Sequence, residues 1–248
     1  MQKHQHPKIT PLLFIRSLLF WVCFVVPLPI YFLISLITLP IGQRPRYKVM
    51  VTLCYFYCVA MRYVCGIRYV VKNPENIQKH PCVIVCNHQS MWETCTLNWI
   101  FTDIVFILKK EILRVPFFGW GINGIAPIAI DRSKGEEAMQ KLIKQGKQRL
   151  GAGFSLLIFP EGTRIKVKQR KDFKHGAAKI AILLQTTITP VAVDSGLFWP
   201  KKSFFLYPGT VNVVVGEPVM PPVNVDNCVE VTNKLQSWTY NELDKMGV

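Results

Sequence analysis

An unbroken run of 25 uncharged residues, positions 17–41, limits what this chain can fold into more than any other feature. A segment of that length and apolarity can cross a bilayer as a helix. Arg16 is the one charge between Leu12 and Ile41. A secretory signal peptide fits poorly, because the run is too long and no small-residue cleavage site follows it. Pro27 and Pro29 lie near its middle and interrupt helix continuity. Lys3, Lys8 and Arg16 precede it and Arg44, Arg46 and Lys48 follow it, so charge asymmetry does not orient it. A second apolar stretch, residues 49–65, is broken only by Arg62. The preferred expectation is a pair of helices, or a re-entrant hairpin, that dips into one leaflet and keeps both ends cytosolic. A single span is the alternative. Residues 1–66 are thus expected to be a basic tail and a hydrophobic helical membrane anchor.

Residues 67–248 have a different texture and are expected to form one folded domain. β-rich runs at 67–71, 82–86, 104–108, 126–130, 155–159, 188–193 and 211–215 read as strands. Between them, 92–101, 135–150 and 176–184 read as helices, and 225–246 as a closing amphipathic helix with Val229, Leu235, Trp238 and Leu243 inward. This alternation implies an α/β fold, a central sheet covered by helices on both faces.

Half of the 248 residues are hydrophobic, and 30 Lys plus Arg against 15 Asp plus Glu give a formal charge of +15. An excess of that size implies an anionic partner: nucleic acid, an anionic membrane surface or a phosphorylated substrate. No helix-turn-helix, RRM or zinc pattern supports nucleic acid. The eight cysteines include no C-x-x-C pair and no His at zinc-finger spacing, so they read as reduced structural thiols of a cytosol-facing protein, with no metal site.

Chemistry concentrates where buried strands end. The apolar run 82–86 leads into Asn87, His88, Gln89, Ser90 and, after Met91 and Trp92, Glu93. Functional groups in α/β proteins gather at the carboxyl ends of strands. His88 can serve as general base, with Glu93 holding its tautomer. Residues five apart on a regular helix lie about 140° apart around the axis, so the two meet only if His88 is in the turn and Glu93 in the first helical turn. Ser90 as N-cap gives that geometry. The competing reading is a capping box in which Glu93 merely bonds the backbone of Ser90.

A second strand ends in Phe159-Pro160-Glu161-Gly162-Thr163-Arg164. Gly162 permits a close turn around a ligand, and Arg164 and Thr163 can donate to phosphate oxygens. From Glu161 to Lys174 six cations oppose two acids, a local charge of +4 that suits an anion funnel. Gly124 to Asp131 and Arg132 is a buried strand ending in a charged pair, and Arg132 is a further phosphate candidate. Lys109-Lys110-Glu111 and the turn Pro116-Phe117-Phe118-Gly119-Trp120 combine cations and aromatics in a manner suited to a lipid–water boundary. Asn87, Ser90, Lys109 and Lys174 are possible supporting residues.

Together these blocks resemble the glycerolipid acyltransferase family, and most closely its bacterial 1-acyl-glycerol-3-phosphate (lysophosphatidic acid) acyltransferases. The family pattern N-H-x4-D is matched by Asn87, His88 and Glu93, and its F-P-E-G-T-R block stands intact at Phe159 to Arg164. Its second block is similar to Gly124 through Arg132 and its fourth to Ile188-Thr189-Pro190-Val191-Ala192-Val193. The resemblance covers residues 67–220. Glu93 departs from the usual Asp by one methylene, which keeps the charge and alters the reach.

The resemblance implies an O-acyltransferase that uses His88 and Glu93 to acylate the sn-2 hydroxyl of lysophosphatidic acid, with acyl-CoA or acyl-carrier protein as donor and no cofactor. It implies phosphate contacts from Glu161, Gly162, Thr163, Arg164 and Arg132. It also implies a location at the membrane, on the cytoplasmic face of a bacterial inner membrane. Rival acceptors are glycerol 3-phosphate, another lysophospholipid or an acylated amino-acid lipid. A hydrolase would need an activated nucleophile, and no G-x-S-x-G elbow is present. A non-catalytic module that binds anionic membrane is the remaining class.

Overall fold

The computed structural model describes residues 8–131, 133 and 135–248. Arg132 and the basic residues 1–7 fall outside the described residues. The seven anticipated strands all form: β1 (Ile67–Lys72), β2 (Val83–Cys86), β3 (Ile104–Lys109), β4 (Ile128–Ile130), β5 (Ser155–Ile158), β6 (Ile188–Val193) and β7 (Gly209–Val215). They make one sheet in the order β1-β7-β6-β2-β5-β3-β4. All pairings are parallel except β6 with β7, so β1 and β7 run against the other five.

The sheet centre is β6-β2-β5, and β2 and β6 are buried along their whole length. A strand covered on both faces reads as a near-continuous apolar run: β2 is Val83-Ile84-Val85-Cys86, and β6 has Thr189 as its one polar residue. Because the three run parallel, Cys86, Ile158 and Val193 end at the same edge. That shared edge is where the site is built.

Helices cover both faces. The helices α6 (Gly135–Gly151), α7 (Gly176–Leu183) and α8 (Cys228–Lys245) pack in a row on one. The other carries α4 (Trp92–Ile100) and α3 (Gln43–Tyr63). A short α5 (Phe118–Ile122) follows a 3-10 turn at Lys110–Arg114, where the sequence suggested only an aromatic turn.

The apolar N-terminus forms α1 (Pro11–Val25) and α2 (Pro27–Ile37). Thr10 caps the first, accepting the Leu13 N–H at 3.2 Å, and Pro27 opens the second at a position where a missing N–H is tolerated. The two run on almost continuously and give one apolar helical stretch, Pro11–Ile37, long enough to cross a membrane. α3 returns alongside. Tyr57 Oη donates to the Phe24 carbonyl at 2.7 Å, and the two rings stack 4.6 Å apart.

This helical arm is not a detached anchor. Leu13, Ser17, Phe20 and Phe24 form a buried stripe on α1, while Leu12, Ile15, Leu18, Leu19 and Val22 are exposed on the remaining surface. Trp21 Nε1 donates to the Phe204 carbonyl at 2.8 Å, and Ser17 Oγ accepts the Leu206 N–H at 3.1 Å. Phe20, Phe24, Tyr47, Met50 and Met61 belong to the same core as the central strands. The change of texture at residue 66 is therefore not a break in packing.

Two strand ends and one helix face depart from the sequence reading for a physical reason. β4 starts at Ile128 because Ala126 adopts a left-handed φ of +49° that a strand cannot contain. Phe159 lies beyond the end of β5. In α8, Val229 is 48% exposed, and the inward stripe is Val231, Leu235, Thr239 and Leu243, with Trp238 half-buried. The pattern had two threonines, Thr232 and Thr239, on its core face, which hid the true phase.

Candidate active site

His88 lies two residues beyond the end of β2, outside regular secondary structure, and Glu93 is the second residue of α4. His88 Nδ1 lies 3.0 Å from Glu93 Oε2. Glu93 is fully buried, and burying a carboxylate is costly unless its oxygens are satisfied. They are: Oε1 accepts from Gln89 N at 3.2 Å and Ser90 N at 3.1 Å, Oε2 accepts from Ser90 N at 2.9 Å, and the Ser195 hydroxyl donates to Oε1. The two sequence readings of Glu93 are thus not exclusive. One carboxylate bonds the backbone of Ser90 and also meets the imidazole. Ser90 Oγ accepts from Trp92 N at 3.1 Å, so it supports the helix start from one position further out than an N-cap.

With Nδ1–H directed at a carboxylate, the neutral ring keeps its lone pair on Nε2, the arrangement a general base needs. The ring is held on its other side as well, stacked on Phe159 at 3.9 Å between centroids with 13° between planes.

The strand ends are stitched together around this pair. Asn87, fully buried, donates to the Val193 carbonyl at 2.8 Å and accepts the Val193 N–H at 2.8 Å, locking β2 to β6. His88 N donates to Glu161 Oε2 at 2.7 Å, and Ile165 N donates to the His88 carbonyl at 2.7 Å, locking β2 to the turn after β5. Gly162 takes φ +72° in that turn, a conformation other residues rarely adopt.

Glu161 is 2% exposed and points at backbone, not into solvent. Its expected place among the phosphate contacts is therefore replaced by a supporting one. Burial pushes its carboxyl up to about 8, against the lowering effect of the His88 N–H. This favours its uncharged form near neutral pH.

A cleft of about 330 Å³ has His88, Phe159, Gly162, Thr163, Arg164 and Lys109 on its walls. Lys109 also pairs with Glu111 at 3.1 Å. Lys174 lines an adjoining cavity of about 270 Å³ with Gly162 and otherwise mostly apolar residues of α6 and α7. On the opposite side the cleft shares Thr94, Phe106 and Ile122 with a narrow apolar cavity walled by Leu28, Met50, Leu53 and Tyr57 of the helical arm. Phe32 of α2 meets Phe117 and Trp120 at 6.2 and 5.2 Å, so the exposed aromatic turn sits against the apolar N-terminal segment. Among the described residues no group of His, Cys, Asp and Glu could hold a metal ion.

Sequence reading missed three participants: Ser195, Gln89 as the acceptor of the Gly196 N–H at 3.2 Å, and the Phe159 ring beneath His88. The signal for Ser195 was available, since the polar pair Asp194-Ser195 follows a buried strand directly, as His88 does.

This fold and edge-of-sheet site define an acyltransferase, and the chain belongs to the Acyltransferase family, whose family model matches residues 68–194. It is 42% identical over 227 residues to the 1-acyl-sn-glycerol-3-phosphate acyltransferase of Pseudomonas aeruginosa, covering 90% of this chain and 88% of that protein. It is 29% identical over 193 residues to the human 1-acyl-sn-glycerol-3-phosphate acyltransferase beta, covering 75% of this chain and 69% of that one. The fold matches the crystal structure of the 1-acyl-sn-glycerophosphate acyltransferase PlsC of Thermotoga maritima, with a TM-score of 0.75 and 21% identity over 94% of this chain and 97% of that one.

Proposed function

We propose that the chain moves a fatty acyl group from acyl-CoA or acyl-carrier protein to the sn-2 hydroxyl of 1-acyl-sn-glycerol 3-phosphate, forming phosphatidic acid. The observation that carries this reading is that His88, held by Glu93, and the Thr163–Arg164 turn line one cleft. The names of the bacterial and human relatives support the choice of acceptor.

The chemistry follows from the ring's orientation. His88 Nε2 takes the hydroxyl proton as the oxygen attacks the thioester carbonyl. The C–O bond forms, the C–S bond breaks, and the imidazolium returns its proton to the departing thiolate. Glu93 stabilises the imidazolium in between. Thr163 and Arg164 hold the acceptor phosphate, and Gly162 lets the backbone approach it. The narrow apolar cavity beside Phe106 accepts hydrocarbon. Neither an acyl-enzyme nor a cofactor enters the scheme.

The outward surface of α1 and α2 supports insertion into one leaflet, because the buried stripe on α1 is already taken by the α/β unit. Both ends then stay on the cytoplasmic side, in a bacterial inner membrane. This brings the cleft to the depth where acceptor and product reside.

The test is a panel of acceptors offered with labelled acyl-CoA: lysophosphatidic acid, glycerol 3-phosphate and lysophosphatidylcholine. Label is expected in phosphatidic acid. Preferential labelling of glycerol 3-phosphate or the choline lipid would assign a different acceptor.

A further inference from the structure

We propose that Ser195 is a positioning residue for acyl transfer, its hydroxyl fixing the Glu93 carboxylate that in turn orients His88; this rests on the reading of His88 as general base. Two of the donors on Glu93, Gln89 N and Ser90 N, belong to the same turn as His88. Both donate from the segment that carries the imidazole, so neither links the carboxylate itself to a second element. Ser195 is the donor that arrives from another strand, at the carboxyl end of β6.

Ser195 is itself rigidly held. It is fully buried and opens a one-turn 3-10 helix, its carbonyl accepting from Phe198 N and Trp199 N at 3.0 Å each. Its neighbour Asp194 is tied to β7, accepting from Asn212 N at 2.8 Å and Asn212 Nδ2 at 2.7 Å. On the other side Gly196 packs so tightly on Gln89 that an added Cβ would come within 2.8 Å of its side-chain oxygen. The hydroxyl has a single proton to give, and Glu93 Oε1 receives it. Acid, base and support thus come from the ends of two neighbouring strands, which the Asn87–Val193 pair joins, and Ser195 links the carboxylate itself to β6.

A double-mutant cycle tests this, since coupled side chains give non-additive effects. Ser195→Ala, Glu93→Gln and the double variant are compared with wild type and His88→Ala for phosphatidic acid formation from lysophosphatidic acid and acyl-CoA. Ser195→Ala should lower kcat about tenfold with both KM values within about twofold of wild type, the signature of lost orientation. Added to Glu93→Gln, it should change kcat by less than about twofold. Equal losses in both backgrounds would mean that Ser195 only supports the fold, and an unchanged kcat in Ser195→Ala would also overturn the proposal. Should Ser195→Ala not fold, the nearly isosteric Ser195→Cys, a weaker donor, replaces it in the same cycle with the same criteria. A fully active His88→Ala would instead remove the general-base reading, a result independent of how the Ser195 cycle closes.

Discussion

His88 Nδ1 and Glu93 Oε2 lie 3.0 Å apart across the junction of β2 and α4, and the same carboxylate ties the two backbone amides between them. Its role is therefore electrostatic as well as structural. Glu93→Gln keeps the shape and part of the hydrogen bonding but removes the charge opposite the imidazolium. Its kcat is expected to fall by about 10²-fold or more, and its unfolding temperature to fall as well, because the amide NH2 replaces an oxygen that accepts from buried donors; steady-state kinetics and thermal melts in detergent will show both.

Arg164 lines the cleft with His88 and, among the described residues, forms no ion pair. Its guanidinium is thus available to a ligand. Arg164→Ala should chiefly raise the acceptor KM, since a charged hydrogen bond worth roughly 1.5–3 kcal/mol is lost. A change confined to the donor KM would move Arg164 to the other substrate.

Glu161 gives a pH dependence of stability with a definite sign. Burial raises its carboxyl from 4.5 to about 8 in the folded chain. Between those values the folded chain holds a proton that the unfolded chain has released, so stability from this group is full at low pH and declines as pH rises through about 8. Glu161→Gln retains an acceptor for the His88 N–H and no longer titrates. Its thermal midpoint should therefore fall less than that of wild type between about pH 5.5 and pH 8.5.

The proposed function puts acyl hydrocarbon in the narrow apolar cavity lined by the helical arm, α4 and Phe106. Leu53 is half-buried on its wall. Leu53→Trp should shift the preferred acyl chain to shorter lengths, read from competition between acyl donors or acceptors of different chain length. An unaltered profile would show that the chain lies elsewhere.

The sheet was legible because its strands are short, rich in aliphatic residues and separated by segments of helical periodicity, so each element announces itself locally. His88 with Glu93, and the Phe159–Arg164 turn, were legible as polar clusters directly after buried strands. The antiparallel pairing of β6 with β7 was not, because register and direction arise from contacts distant in sequence. Glu161 looked like a ligand residue for a similar reason: its burial depends on His88 N, 73 positions away. Asp194-Ser195 stands out as a polar pair after a buried strand, but its pairing with Glu93 depends on β6 lying beside β2. Val229 was placed inward since hydrophobicity alone marks a helix face, and here threonines occupy part of it.

Base catalysis by His88 is tested most directly by comparing wild type with His88→Ala, purified in detergent, for phosphatidic acid formed from lysophosphatidic acid and acyl-CoA. Loss of a positioned general base lowers turnover by about 10²–10⁴-fold, and that is the expected result. A variant that retains more than half of the wild-type rate would contradict it.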